Sequence, residues 1–322
     1  MLQDIHIVYP DAEENLASVF TGERLAHLEN LGKFNIYYGG RPSTEEFIHR
    51  IGNANAVLSG WGFNNEVLGA LSSVEIVSFV GLGVSTFIDL EKAAQQGITV
   101  THTLSAAETI AEHTMALMLA AARNIVRLDR ETRAGQWNAG LQGFDLKGKT
   151  LGLVGFGPIA QATLPLARSF GMRVIAWTRN PDTERAANFD IEFRPLDNLF
   201  AESDLISFHL PVTPDTEGMI TAERLGKTKP GVVIVNTARA QILDEVALIE
   251  LLESGHVAAA GIDVFSQEPL ARGHPFTKLD NVVLTPHVAY NTPEASAAII
   301  DMAIDNLEAF FNGKPVNVAS HS

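Results

Sequence analysis

Three short stretches carry residue types whose spacing could do chemistry. In LGLVGFGPIA, Gly155, Gly157 and Ala160 follow an apolar strand pattern and precede a helical one. A G-x-G-x-x-A turn would use Gly155 for the tight bend, Gly157 for close backbone approach to a pyrophosphate, and Ala160 for helix packing. The positive end of the following helix would hold the diphosphate. Pro158 departs from the plainest form, withdrawing one backbone donor while suiting a first helical turn. The second stretch is VIAWTRNPD. Thr178 stands where a NAD-binding fold usually offers an acid to the ribose hydroxyls, and Arg179 follows it. A guanidinium there suits a 2′-phosphate, so NADP is expected as cofactor; NAD remains possible if Arg179 is an ordinary solvated loop residue. The third stretch, VVIVNTAR, ends a core-like strand on Arg239. From these eight residues alone the arginine reads first as a solvated head on the approach to a helix, and only second as a fork for a substrate carboxylate.

The elements that must position these residues form two alternating series. IHIVYP, FNIYYG, AVLSG, VEIVSFVG and ITVT read as short strands, with helices near 11–30, 43–51 and 86–95 between them. A long helix is expected from Ser105, where Ser105 and Glu108 fit a capping box and apolar positions continue through MALMLAAARNIVRL. GFDLKGK then reads as a surface turn. The second series runs through TLGLVGFG, MRVIAW, DLISFHL, GVVIVN, AAAGIDVF and NVVLTP. Thr292 and Pro293 predict the start of a closing helix that reaches about Phe311. Alternation of this kind gives an α/β chain with two doubly wound, parallel-sheet, Rossmann-like domains.

Bulk composition narrows the partners. A chain of 322 residues with 46% hydrophobic content is long enough for two cores. Its 23 basic against 38 acidic residues give a formal charge of −15, which opposes broad attraction to nucleic acid or anionic lipid. No cysteine is present, so disulfides, thiolate metal sites and thiol nucleophiles are excluded. MLQDIHIVYPDAEEN lacks the pattern of a signal peptide, and the longest uncharged run is broken by glycine and proline. A soluble, cytoplasmic protein is expected, without membrane or nucleic-acid partners. No HExxH, calcium loop or serine elbow is found, and no metal is expected.

Taken together, VGFGPIA, NTARAQILDEVALIELLESG, GIDVFSQEP and LTPHVAYNTPEA resemble the D-isomer-specific 2-hydroxyacid dehydrogenase family, which includes enzymes acting on phosphoglycerate, hydroxypyruvate and glyoxylate. The similarity runs from about FVGLGVSTFIDLEKA to the last helix and leaves residues 1–75 nearly unmatched. It implies a substrate-binding domain of residues 1–101 and 291–322, a dinucleotide-binding domain of residues 102–290 inserted between them, and a homodimer. The family's catalytic arginine falls on Arg239, its proton donor on His287 and the partner of that histidine on Glu268. A guanidinium fork can hold a carboxylate and polarise a ketone, and a carboxylate beside an imidazole fixes its tautomer for proton transfer.

The resemblance also implies a cofactor set of Gly155, Gly157, Pro158, Ile159, Thr178, Arg179, Asn180, His209, Pro211, Thr216, Thr237, Ala238, Asp263 and Ala289. Asp263 would accept from the nicotinamide carboxamide. In the other half, VGLGVS points to Leu82 and Gly83 as the loop receiving a substrate carboxylate, and Trp61 is a candidate wall of the pocket. Ser85 and Thr86 stand where the family often has an acid or amide. Trp137 is assigned to packing or a subunit contact. The expected function is hydride transfer between nicotinamide and a small 2-keto or 2-hydroxy acid, glyoxylate or hydroxypyruvate reductase-like. The alternative on the same fold is a dinucleotide-sensing, corepressor-like binding protein.

Overall fold

A computed structural model gives the fold and describes residues 5–40, 42–81 and 83–319. The chain divides into two compact units, residues 1–106 with 291–322, and residues 107–290. In the first unit, β1 (His6–Ala12), β2 (Lys33–Tyr38), β3 (Ala56–Ser59), β4 (Ile76–Phe79) and β5 (Thr99–Thr101) form one sheet in the order β2-β1-β3-β4-β5. Every pairing in it is parallel. The order reverses direction between β1 and β3, and open parallel sheets place ligands outside the carboxyl ends of strands at such a point.

The unit is covered on both faces, and its central strands β3 and β4 are buried at every position. Val8, Val57 and Val77 join one core, whereas Ile7, Ala56, Leu58 and Ile76 join the other, as the two-residue period of a strand demands. The second of these cores is completed from the far end of the sequence. Ile300, Ala303, Ile304 and Leu307 of helix Pro293–Phe311 pack into it, and Ser78 Oγ donates to the Ala303 carbonyl at 3.0 Å. Thr292 caps that helix by accepting from Ala295 N, as expected from the Thr-Pro pair. The predicted helix near 11–30 is different: β1 runs on to Ala12, a 3-10 turn follows at Glu14–Ser18, and the helix is confined to Glu23–Leu31.

The second unit holds β6 (Thr150–Val154), β7 (Arg173–Trp177), β8 (Glu192–Phe193), β9 (Leu205–Phe208), β10 (Val232–Asn236), β11 (Val257–Ile262) and β12 (Val282–Leu284). Their order is β12-β11-β10-β9-β6-β7-β8, again with every pairing parallel. The order turns back between β6 and β9, directly beside the glycine turn. Val233 and Val235 face one core and Val232 and Ile234 the other. A leucine or isoleucine fully buried in this way contributes about 1.5–3 kcal/mol. Helix Ala107–Ala122 lies close on β11 because Gly261 has no side chain: a Cβ there would meet Leu117 Cβ at 2.8 Å.

Two expectations for the long helix are corrected. Ser105 does not cap it. The helix begins at Ala107, and Ser105 Oγ is buried without a hydrogen-bond partner. Nor is the helix continuous through NIVRL. Asn124 takes a left-handed φ of 54°, its side chain donates to the Gln142 carbonyl, and a separate helix starts at Ile125. Asparagine tolerates that conformation better than most residues, so it breaks a run whose apolar pattern continues through it. Among the described residues no helix is long and apolar enough to cross a membrane.

Candidate active site

Three neighbouring strands of the second unit position the three residues that the sequence singles out for catalysis. Because β10, β11 and β12 are adjacent and parallel, their carboxyl ends share one rim. Arg239 follows β10, Glu268 lies on the loop after β11, and His287 follows β12. Glu268 Oε2 is 2.8 Å from His287 Nδ1, while Glu268 Oε1 accepts from Phe265 N at 3.0 Å. The carboxylate is thereby fixed by the backbone at one oxygen and orients the imidazole with the other, which leaves His287 Nε2 as the exchangeable position. His287 holds a left-handed φ of 56°, an uncommon conformation for a residue with a side chain.

Arg239 is half-buried, and its presentation is built locally. Asn236 Oδ1 accepts from Ala238 N and Asn236 Nδ2 donates to the Arg239 carbonyl, both at 3.0 Å, so one side chain shapes the whole turn. Arg239 Nη1 donates to the Ala238 carbonyl. Burial lowers the guanidinium pKa from its ordinary value, and the Glu268 charge acts in the opposite direction. Such a group stays protonated at neutral pH.

Behind the trio stands a buried carboxylate. Asp263 directly follows β11 and has no exposed surface. Its Oδ1 accepts from Thr285 Oγ1 at 2.5 Å and Val288 N at 3.0 Å, and its Oδ2 from Ala289 N at 3.0 Å. His113, from helix Ala107–Ala122, places Nε2 3.1 Å from Thr285 Oγ1 and 3.7 Å from Asp263 Oδ1. Burial raises the Asp263 pKa, but His113, Thr285 and the two amides together outweigh it, and the carboxyl ends below the usual range. Asp263 thus anchors the segment that carries His287. Neither His113 nor Thr285, nor the turn-building role of Asn236, was anticipated from sequence; the only signal was that a strand-end aspartate needs donors.

At the other half of the rim, the glycine turn fits a dinucleotide. Gly155 has a φ of +97°, and a Cβ on it would strike the His209 carbonyl at 2.4 Å, so no other residue fits. Gly157 is different in kind: a Cβ there would meet nothing within 4 Å. The protein leaves open space above it, at the N-terminus of helix Pro158–Ser169, where no side chain caps the helix. Pro158 offers no amide, so the free donors near that end fall to residues such as Ile159. Ala160 is fully buried, as its packing role requires.

The remaining residues of the implied cofactor set occupy this rim in varied states. His209 follows β9; burial pushes its pKa down to about 3, and its Nε2 has no partner. Pro211 and Thr216 belong to the same loop, where Thr216 Oγ1 is committed to the Pro211 carbonyl at 2.6 Å. Thr237 Oγ1 is 2.9 Å from Thr114 Oγ1 and is buried. Ala289 is buried with its amide on Asp263. After β7, Thr178 Oγ1 and the Asn180 carbonyl both accept from Arg185 Nη2, whereas Arg179 pairs with Asp215 at 3.0 Å.

The substrate candidates lie in the first unit. Trp61 follows β3, with its ring 6.5 Å from that of Phe87, and its amide donates to Asp11 Oδ2 at 2.9 Å. Gly83 follows β4 with a φ of 72° and precedes a single 3-10 turn. Within this unit the two loops are neighbours, since Phe63 N donates to the Phe87 carbonyl and Gly62 has no room for a Cβ against Phe87. Leu82 lies outside the described residues.

The family model for the NAD binding domain of D-isomer specific 2-hydroxyacid dehydrogenases matches residues 115–289. A glyoxylate reductase of Thermofilum pendens is 39% identical over 283 residues, 85% of this chain and 83% of that protein. A D-3-phosphoglycerate dehydrogenase of Mycobacterium leprae is 41% identical over 258 residues, but these are 79% of this chain and only 48% of that protein. Among solved structures, an NADPH-dependent glyoxylate/hydroxypyruvate reductase from Sinorhizobium meliloti, in complex with NADP and malonate, superposes with a TM-score of 0.85 at 26% identity, covering 98% of this chain and 97% of that one. A nucleotide-binding sheet with these relatives defines an oxidoreductase that uses a nicotinamide cofactor. The chain belongs to the D-isomer-specific 2-hydroxyacid dehydrogenase family, whose members act on small 2-keto or 2-hydroxy acids.

Proposed function

We propose that this protein reduces a small 2-keto acid, of the glyoxylate or hydroxypyruvate type, to the D-2-hydroxy acid, with NADPH preferred over NADH, in the cytoplasm. The observation that carries the reading is the 2.8 Å contact between His287 Nδ1 and Glu268 Oε2 on the rim that also bears Arg239. Bound nicotinamide would supply the hydride. Arg239 would hold the substrate carboxylate and polarise the carbonyl, because its fork can bind an anion through two parallel donors. His287 would give the Nε2 proton to the forming alkoxide, and Glu268 would stabilise the imidazolium beforehand. Water would return the proton after product leaves.

Residues 1–101 and 291–322 are assigned substrate recognition, through Trp61, Leu82 and Gly83, and residues 102–290 the cofactor. NADPH preference is supported by a threonine in place of an acid at position 178 and by the cations that follow it. The homodimer implied by the resemblance is supported by Trp137, which is 87% exposed, and by the exposed Ile125 and Val126 on the preceding helix.

The test follows nucleotide oxidation over a panel of 2-keto acids. His287→Ala is expected to lower kcat by about 100-fold or more, the usual scale of general acid help. Arg239→Lys keeps the charge but loses the fork, and turnover should fall strongly with it. Near-parental rates for both variants with every acid in the panel would remove the proposed roles.

A further inference from the structure

We propose that Arg185 is the residue that selects for the 2′-phosphate of NADP, acting together with the Thr178 hydroxyl. The inference rests on the NADPH reading above and names the residue within it that does the discriminating. Arg185 sits on the short helix Thr183–Phe189, and its side chain folds back to the end of β7. Nη2 donates to Thr178 Oγ1 at 2.9 Å and to the Asn180 carbonyl at 3.2 Å. The guanidinium carbon lies 6.0 Å from the ring centre of Phe156 and 5.3 Å from that of Phe193. Phe156 is the residue between the two glycines of the phosphate turn, so this cation is fixed beside that turn before any ligand arrives.

The guanidinium is incompletely satisfied. Among the described residues no carboxylate forms an ion pair with Arg185, and its Nε is buried without an acceptor. Arginine carries five N–H donors, and a fixed, unneutralised fork of this kind matches an anion with several acceptor oxygens. Arg179 is the poorer candidate. It already has Asp215 at 3.0 Å, and the pair is largely exposed, with side chains at 45% and 73% of their full accessibility. A phosphate would have to compete with that aspartate and with water.

Thr178 completes the device. Its hydroxyl accepts from Arg185, so its own proton is left to donate to a phosphate oxygen. An acid in its place would neutralise Arg185 and repel the phosphate. Because the chain carries a formal charge of −15, no general attraction would draw a doubly charged group to this site, and a local cation is required.

The experiment compares adenosine 2′,5′-bisphosphate with AMP by calorimetry, and NADPH with NADH by steady-state kinetics, on the full-length protein. The parent is expected to bind the bisphosphate about 10- to 100-fold more tightly than AMP, the scale of hydrogen bonds to a charged group. Arg185→Met should erase most of that difference and raise the KM for NADPH, leaving AMP affinity and the KM for NADH within about twofold. Arg185→Lys should recover part of the preference, and Thr178→Asp should turn it toward NADH. Equal losses for both nucleotides in Arg185→Met would make the arginine a mere staple of the turn and overturn the inference. A parental preference that survives Arg185→Met but disappears in Arg179→Met would overturn it while leaving the NADPH reading intact. A parent that does not prefer the bisphosphate would remove both.

Discussion

Two buried aspartates, one in each unit, are held by almost the same donors and behave in opposite ways. Asp11, near the end of β1, accepts from the Ser59 hydroxyl and from the amides of Gly60 and Trp61. Asp263, after β11, accepts from the Thr285 hydroxyl and from the amides of Val288 and Ala289. Asp11 is 1% exposed and Asp263 is fully buried. Yet burial pushes Asp11 up to about 6 against the same kinds of donor, whereas Asp263 ends below its ordinary value. The added element at Asp263 is the His113 imidazole. At Asp11 desolvation outweighs all the donors together, whereas at Asp263 the surrounding groups, His113 first among them, outweigh desolvation. The ionised aspartate lies beside the proposed catalytic histidine, and the other fixes the loop that carries Trp61.

The comparison breaks most sharply at Asp263→Ala. Three buried donors lose their acceptor, at about 1–3 kcal/mol each before relaxation, so denaturant unfolding should show a loss on the order of 4 kcal/mol. Because the segment from Thr285 to Ala289 carries His287, kcat should also fall by about 100-fold or more.

Next in size is the pH dependence at Asp11. Its folded pKa of about 6 lies above the ordinary value of 3.8, so the folded state holds the proton more tightly than the unfolded chain. That contribution is fully present below about pH 4 and is lost as pH rises through about 6, amounting to roughly 3 kcal/mol. Asp11→Asn should lack this slope when unfolding free energy is measured across the interval. Asp263 has the opposite sign: its lowered pKa adds stability above 3.8 that disappears as the carboxyl is protonated in acid. Smaller again is His113→Leu, which should make Asp263 resemble Asp11. Carboxyl carbon NMR should then show the Asp263 titration moving upward, with a stability loss of about 1–2 kcal/mol at neutral pH. An unmoved titration would exclude His113 as the deciding group.

What was legible in the sequence was what neighbouring residues decide. The eleven longer strands, the Thr292 cap and the demand for glycine at 155 rest on periodicity or on one turn, and each is present. A local motif failed at Ser105, where S-x-x-E matched a capping box but the backbone entered the helix two residues later. The break at Asn124 was hidden because the apolar pattern continues across it. The helix Asn65–Ala70 and the two-residue β8 also went unread, both too short for a period to show. Non-local partners were out of reach altogether. His113 and Thr285 stand 172 residues apart and Asp11 and Trp61 stand 50 apart, and nothing in either neighbourhood announces the other. Arg185 is only seven residues beyond Thr178, but the turn between them conceals that the side chain comes back.

The left-handed backbone at His287 puts the proposed reaction and the durability of the fold at odds. A side chain in that conformation costs about 1–2 kcal/mol that glycine avoids. Among inactive replacements, His287→Gly should therefore melt at a higher temperature than His287→Ala, reversing the usual ranking of the two residues. The imidazole occupies a position that the main chain would rather give to a residue with no side chain, and the proposed work as an acid is what would justify keeping it there.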